Sequence, residues 1–449
     1  MRRGRMLAVM LLCAASKLFA EPSIAHHSAR APETVSTPDT ETSDFMVGRV
    51  HVILRHSAAN DVVAANVYLL GGTRQLTPET AGIETLMLAA SEEGTRRFPK
   101  AALRAITART GATINIGTSV DWTTFGLLTL RQTFDSSWAV FADRLVEPRL
   151  DSADVDRIRR QMLIGARQAD LDPDAAVRDL ADGLLYANHP YRLDAGGSVA
   201  SLSQLTVAAV RNYHRTQVVQ SRLLVVVVGN IDRPSLERAI RRTLATLPAG
   251  DYHWEPPPPL TPAASHVATL SRAMPTNYIL GYYAGPPAGT ADYAALRIAT
   301  AVLSGRMFAE VRSREHLAYA VEAPFLERDI SAGGFYVTTT DPIAALNAMA
   351  TELRRLQTTI VDPDGLRTLI GQFITEYFLK NETNGDQASF LARAELYDGS
   401  YRDAAQFVAR LRAVTPEDIQ RVAIQYMHDT RFGFVGDTTK VPAILATRF

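Results

Sequence analysis

Apolar positions along this chain follow two periods, and the periods divide it into strands and helices. Residues 62–70 read as a strand that runs into Gly71-Gly72, which predicts a turn. Further strands are predicted at 113–117, at 124–130 and at 223–228, the last a continuous Leu/Val run closing on Gly229-Asn230. Helical periodicity marks residues 99–109, and long amphipathic helices are expected over 154–170 and 364–380. Thr77-Pro78 offers an N-cap followed by proline at the first helical position, so a helix is expected to start there and run on through Gly82.

The pattern also repeats. Leu205-Thr206 to Val210 lines up with Val414-Thr415 to Ile419, and Val228-Gly229-Asn230 with Val435-Gly436-Asp437. Between the copies lies Tyr252-His-Trp-Glu-Pro-Pro-Pro-Pro259, a polyproline stretch suited to a semi-rigid linker. The expected architecture is α+β, with two homologous domains that each carry a mostly antiparallel sheet with helices on one face. Together they would enclose a cleft or chamber. The expected boundaries are 45–250 and 266–449, with the linker at 251–265.

Composition adds limits. Lys+Arg and Asp+Glu are both 47, so the chain has no electrostatic footprint for nucleic acid. Arg2-Arg3-Gly-Arg5 precedes an apolar run to Ala20, which is too short to span a membrane and reads as a secretory signal peptide over 1–20. That implies a periplasmic protein with no transmembrane span once the signal is removed. Residues 21–44 are rich in Ser, Thr, Pro and Ala and are expected to form a disordered tether. The single cysteine, Cys13, lies inside the signal, so neither thiol catalysis nor a disulfide is expected in the mature chain. Met10-Leu11-Leu12 lacks the small residue that lipid attachment at Cys13 would need next to it.

Several features in fixed order carry a resemblance. They are the 62–72 strand and turn, Gly82-Ile-Glu-Thr-Leu-Met-Leu-Ala-Ala-Ser-Glu-Glu-Gly-Thr95, Asn115 within the next strand, Asp172-Pro173, His189-Pro190-Tyr191, and Ser304-Gly-Arg-Met-Phe-Ala-Glu-Val-Arg312-Ser-Arg-Glu-His-Leu-Ala-Tyr319. From about residue 45 onward the chain resembles peptidase family M16, the pitrilysin/insulinase and mitochondrial-processing-peptidase-like family. In that family the 82–95 helix carries His-x-x-Glu-His. Two histidines at i and i+4 share a zinc on one helical face, and a glutamate at i+3 serves as general base.

Here those three positions are Thr85, Leu88 and Ala89, which offer a hydroxyl and hydrocarbon. The family's third ligand would fall at Gly165 or Ala166. No histidine occurs between His56 and His189 and no glutamate between Glu147 and Glu237, so a shifted alignment does not restore the site. No metal is therefore expected on this chain. Glu84, Glu92 and Glu93 are expected on a solvated face. His51 and His56 fall on opposite faces of one strand, and Glu315-His316 lacks the earlier histidine, which is Arg312. His189 is expected to be a structural hydrogen-bonding residue.

The resemblance gives Arg312 and Tyr319 positive roles. In the family, an arginine and a tyrosine so spaced hold the peptide and help stabilise the tetrahedral intermediate. Their bland alternative is a surface arginine and a tyrosine packed in a sheet. Asn115 marks an edge strand that pairs with extended peptide in the family, or else it merely satisfies a strand end. The expected role is that of a non-zinc, substrate-binding subunit that joins a zinc-bearing M16 partner in a heterodimeric peptidase. The alternatives are a non-catalytic peptide-binding scaffold of the cell envelope and, against the ligand gap, an autonomous zinc peptidase.

Overall fold

The computed structural model describes residues 42–441 together with Leu445 and Phe449. The expected signal peptide, Cys13 and the tether up to residue 41 lie outside the described residues. Among the described residues no helix is long and apolar enough to cross a membrane.

Among the described residues, twelve strands form two six-stranded sheets. The first sheet contains β1 (Thr42–Val47), β2 (Val50–His56), β3 (Val62–Leu70), β4 (Thr113–Thr118), β5 (Trp122–Leu130) and β6 (Leu223–Gly229), in the order β1-β2-β6-β3-β5-β4. The second contains β7 (Val267–Ser271), β8 (Asn277–Pro287), β9 (Ala320–Glu322), β10 (Phe325–Leu326), β11 (Ile330–Thr339) and β12 (Arg431–Gly436), in the order β10-β11-β8-β12-β7 with β9 paired to β11. Each sheet has one parallel pair, β2 with β6 and β7 with β12, and is otherwise antiparallel. The path β2-β6-β3-β5 repeats as β7-β12-β8-β11, so the internal copy legible in the sequence is a copy of topology. β1 has no counterpart. It pairs Thr42 with Arg55 through Val47 with Val50, so the strand takes the last three residues assigned to the tether.

Each half covers one face of its sheet with its own helices, as the patterning implied. The other face is covered by the opposite half. Helix Asn384–Arg393 and the turns after it, from the second half, bury Ala388, Leu391 and Tyr401 against Ile53, Tyr68, Leu224, Val226 and Val228 of the first sheet. In return, helix Pro173–Leu185 of the first half sets Val177, Ala181 and Leu185 against Leu280, Tyr282 and Val435 of the second sheet. This exchange explains why β6 is a continuous apolar run. Its odd residues Leu223, Val225 and Val227 face the first half's own core, and its even residues face the incoming helix.

The contact on β12 is close. A Cβ at Gly433 would lie 2.5 Å from the Val177 carbonyl oxygen and 2.8 Å from Leu180 Cβ. Asp172, at the cap of the exchanged helix, accepts a hydrogen bond from the Asp174 N–H, with Pro173 in the first turn. The 251–265 segment has no regular secondary structure, yet both halves hold it. Trp254 donates its indole N–H to the Leu396 carbonyl at 3.1 Å, and the Ala263 N–H reaches the Leu184 carbonyl at 2.8 Å.

If the exchanged helices bind the halves into one cooperative unit, damage at one crossing reaches both. Leu391→Ala opens a cavity in a fully packed contact and is expected to lower unfolding stability by about 2–5 kcal/mol. Denaturation followed by both tryptophan fluorescence and far-UV circular dichroism should show one transition shifting as a whole. Separate transitions for the two halves would contradict the expectation.

Candidate functional site

The degenerate helix is shorter than its sequence suggested. It spans Ile83–Ala90 and does not start at Thr77-Pro78. Residues 77–81 instead close a turn, with the Ala81 N–H on the Thr77 carbonyl at 2.9 Å. Gly82 then takes a left-handed φ of 87°, which resets the chain direction before the helix begins. A Cβ at that point would meet Gly197 Cα at 2.8 Å, so glycine is required twice over, for conformation and for space.

On this helix the three frame positions have other uses. Thr85 donates its hydroxyl to the Ala195 carbonyl at 2.7 Å. Leu88 is wholly buried in the first half's core, and Ala89 is half-buried hydrocarbon. Helix Ser152–Ala169 lies alongside and brings Ala166 against the same core. These side chains do not fit a zinc ion, because the one oxygen among them is a committed donor. Among the described residues no group of three or more His, Cys, Asp or Glu is arranged to hold a metal.

The acidic residues around the helix depart from expectation. Glu84 is buried, not solvated. Its Oε2 accepts from Arg222 Nη2 at 3.0 Å and from the Tyr213 hydroxyl at 2.9 Å. Arg222, almost fully buried, also donates to the Leu70 and Gln217 carbonyls at 2.8 and 3.0 Å. Burial alone would lower the Arg222 pKa, but the facing Glu84 outweighs it and the net shift is upward. The Tyr213 phenol is pushed well above its usual range by burial and by that carboxylate. Glu93 is also mostly buried. Desolvation would raise its carboxyl, but Lys100 and Arg157, the latter at 2.7 Å, hold it below the ordinary value. Only Glu92, 58% exposed, sits on the solvated face. The partners of Glu84 lie 129 and 138 residues away, beyond any local pattern, whereas Lys100 is only seven residues from Glu93.

The histidines behave as bystanders. His189 Nδ1 accepts from the Tyr191 N–H at 3.1 Å, so Nε2 carries the proton and donates to the Pro258 carbonyl at 2.9 Å, pinning the linker. Burial holds its pKa below the ordinary value. His51 and His56 have separate partners, Glu395 and the Ile231 carbonyl.

The second half does bring its predicted residues together. Helix Ala291–Met307 continues as a π-helical segment, Phe308–Arg314, whose wider turn carries Arg312. His316 then adopts a left-handed φ of 56°, and the chain turns toward β9, placing Tyr319 immediately before that strand. The Tyr319 backbone is fixed by its N–H on the Thr338 carbonyl at 3.3 Å, and the neighbouring Ala320 N–H reaches Thr338 Oγ1 at 3.1 Å. Its ring nonetheless stands 82% exposed. The Arg312 guanidinium lies 5.5 Å from the centre of that ring and 4.9 Å from that of Phe308, itself 45% exposed. Phe308, absent from the sequence-based candidates, sits one helical turn before Arg312, a spacing that could have flagged it.

Asn115 lies on β4, the edge strand beside the degenerate helix, paired with Gly126 of β5. Its amide leans over that glycine: a Cβ at Gly126 would meet Asn115 Oδ1 at 2.2 Å and Asn66 Oδ1 at 2.8 Å. Among the described residues β4 pairs with β5 only, which leaves its outer edge open there.

The fold is thus a duplicated sheet-and-helix unit with a metallopeptidase frame whose ligand positions are filled by other residue types. Known proteins agree with that class. The profile described as Insulinase (Peptidase family M16) matches residues 51–194, and the profile described as Peptidase M16 inactive domain matches residues 204–372. The chain belongs to peptidase family M16.

Among its relatives, an uncharacterized zinc protease of Streptomyces coelicolor is 24% identical over 78% of this chain and 80% of its own length. The mitochondrial-processing peptidase subunit beta of Blastocladiella emersonii is 20% identical over 96% and 95%. A protease from Helicobacter pylori shares the fold with a TM-score of 0.80 at 17% identity, covering 88% of this chain and 99% of that one. A peptidase M16 inactive domain from Pseudomonas fluorescens does so at 0.79 and 18% identity, over 88% and 98%.

Glu84→Ala would strand Arg222 as an uncompensated buried cation. It is expected to destabilise the protein by about 3–5 kcal/mol. Glu382→Ala, at an exposed position, should stay within about 0.5 kcal/mol of the parent. Urea titration of the two variants checks the contrast, and equal effects would refute the buried ion pair.

Proposed function

We propose that this chain is the non-zinc subunit of a two-chain M16 peptidase, acting in the periplasm and presenting Arg312 and Tyr319 to a peptide held at the zinc site of a separate, zinc-bearing subunit. The observation that carries this reading is the Arg312–Tyr319 cluster. Its backbone is anchored, its two reactive groups are adjacent, and its aromatic ring is left facing solvent. A tyrosine kept for packing would bury that ring. The exposed phenol is placed to donate to a developing oxyanion, and the planar guanidinium to hold carbonyl oxygens. The filled frame at Thr85, Leu88 and Ala89 supports the same reading from the other side, since this chain lacks the donor set to hold the metal itself. The open β4 edge, with Asn115 outside the sheet's buried faces, suits main-chain pairing with an extended substrate.

Purified alone, the chain should hydrolyse no peptide and should hold no stoichiometric zinc by elemental analysis. Mixed with a zinc-bearing M16 partner from the same host, it should restore cleavage, and Tyr319→Phe should lower kcat by about 10²–10³ with little change in complex formation. One tightly held zinc per chain, or cleavage unaffected by Tyr319→Phe, would defeat the assignment. Complex formation without any cleavage would favour the scaffold reading.

A further inference from the structure

Where the two halves meet, a cavity of about 490 Å3 is lined by one face of helix Pro173–Leu185, by the β4–β5 turn, and by Arg328 and Tyr397 of the second half. Most of its charges are already matched. Arg192 pairs with Asp179 at 2.7 Å, Arg393 pairs with Glu327, and Asp194 accepts from the Gly196 N–H at 2.7 Å. Asp121 accepts from the Tyr191 and Tyr397 hydroxyls at 2.5 and 2.7 Å.

Asp182 and Arg328 are left over. Asp182 Oδ1 is shielded from solvent with no hydrogen-bond partner, and so is Arg328 Nη1. Among the described residues neither side chain forms an ion pair within 4.0 Å, although each feels the other's charge. The guanidinium is held in place all the same, stacked 4.9 Å from the Tyr186 ring centre and 5.6 Å from that of Tyr191. Buried polar groups left unpaired cost about 1–3 kcal/mol each, so a preset guanidinium and a carboxylate, each with one unsatisfied atom at the same cavity, call for an explanation.

The charge pattern selects the ligand. The lining as a whole holds five carboxylates and four guanidiniums, but among the described residues Arg328 and Arg178 form no ion pair within 4.0 Å and both bear on Asp182, so on that wall two guanidiniums stand against one carboxylate and an anion is favoured there. A compact anion such as phosphate would be repelled by Asp182. A carboxylate with an N–H donor a few bonds away satisfies both walls, and that is the chemistry of a peptide's last residue. We propose that this cavity binds the carboxyl terminus of a short peptide, its carboxylate on Arg328 and Arg178 and its terminal amide N–H on Asp182. The planar fork of Arg328 matches carboxylate geometry, and the volume accommodates a few residues. Burial outweighs the nearby arginines and pushes the Asp182 carboxyl up to about 6, which still leaves it an acceptor at neutral pH.

The site stands apart from Arg312 and Tyr319, and its test needs no zinc-bearing partner. N-acetyl-trialanine with a free carboxylate is titrated into the full chain by calorimetry, beside the same peptide as its C-terminal amide. The acid should bind and the amide should bind about tenfold or more weakly. Arg328→Gln should lose a similar factor, and Arg328→Lys, which keeps charge without the fork, should fall between. Melting temperatures monitor folding. Equal binding of acid and amide, no heat from either, or unchanged affinity in Arg328→Gln would overturn the proposal. So would a result in which Arg328→Gln and Asp182→Asn each lower the melting temperature, the double variant recovers it, and peptide affinity stays constant, since that identifies a structural ion pair.

Discussion

The structure depends on an exchange of helices between its two halves. A half-length sheet with helices on one face leaves its other face apolar and open to water, a condition no single copy of this repeat resolves. Placing helix Asn384–Arg393 on the first sheet and helix Pro173–Leu185 on the second removes both liabilities together. The halves are then neither beads on a string nor a freely hinged pair. Each completes the other's core, and the proline-rich segment between them is fastened to both by Trp254, His189 and Ala263.

That exchange also fixes where polar chemistry can collect. With the apolar crossings on the sheet faces, the remaining seam carries Asp121, which joins Tyr191 of its own half to Tyr397 and the Asp329 N–H of the other. Asp121 sits in the tight β4–β5 turn, so this knot ties the base of the edge strand to the opposite half. Burial, reinforced by the Asp121 charge, pushes the Asp329 carboxyl up to about 6. The cavity beside the knot takes Arg178, Asp179 and Asp182 from one exchanged helix and Arg393 from the other, and its remaining charges from Asp121 and the 192–194 and 327–328 segments.

Much of this was legible in the sequence, and the parts that were not share one physical cause. Strand alternation, the β6 run and the repeat of topology rest on local periodicity, and periodicity survives without knowledge of partners. Arg312 and Tyr319 were found through the resemblance of the motif around them to that of the family, and the structure sets both at one helix-to-strand junction. Glu84 looked like a solvated charge because its partners Arg222 and Tyr213 lie more than a hundred residues away. Asp121 was not among the sequence-based candidates, and its partners Tyr191, Tyr397 and Asp329 are also remote along the chain. The early helix start at Thr77 failed differently: a good N-cap and proline were overridden by Gly82, whose close approach to Gly197 is a tertiary demand.

The degenerate helix can outlast its chemistry because its two faces do separate work. Glu84 anchors one face to Arg222 and Tyr213, while Leu86, Met87 and Leu88 fill the core, so the helix is held by contacts that never involved a metal. Thr85 and Ala89 sit at the margin of that packing, where a hydroxyl turned onto the Ala195 carbonyl and a single methyl satisfy the local environment. Loss of imidazoles there removes no structural support, whereas loss of Glu84 would. A fold organised this way keeps its frame, its edge strand and its exposed Arg312–Tyr319 cluster with Thr85, Leu88 and Ala89 at the ligand positions.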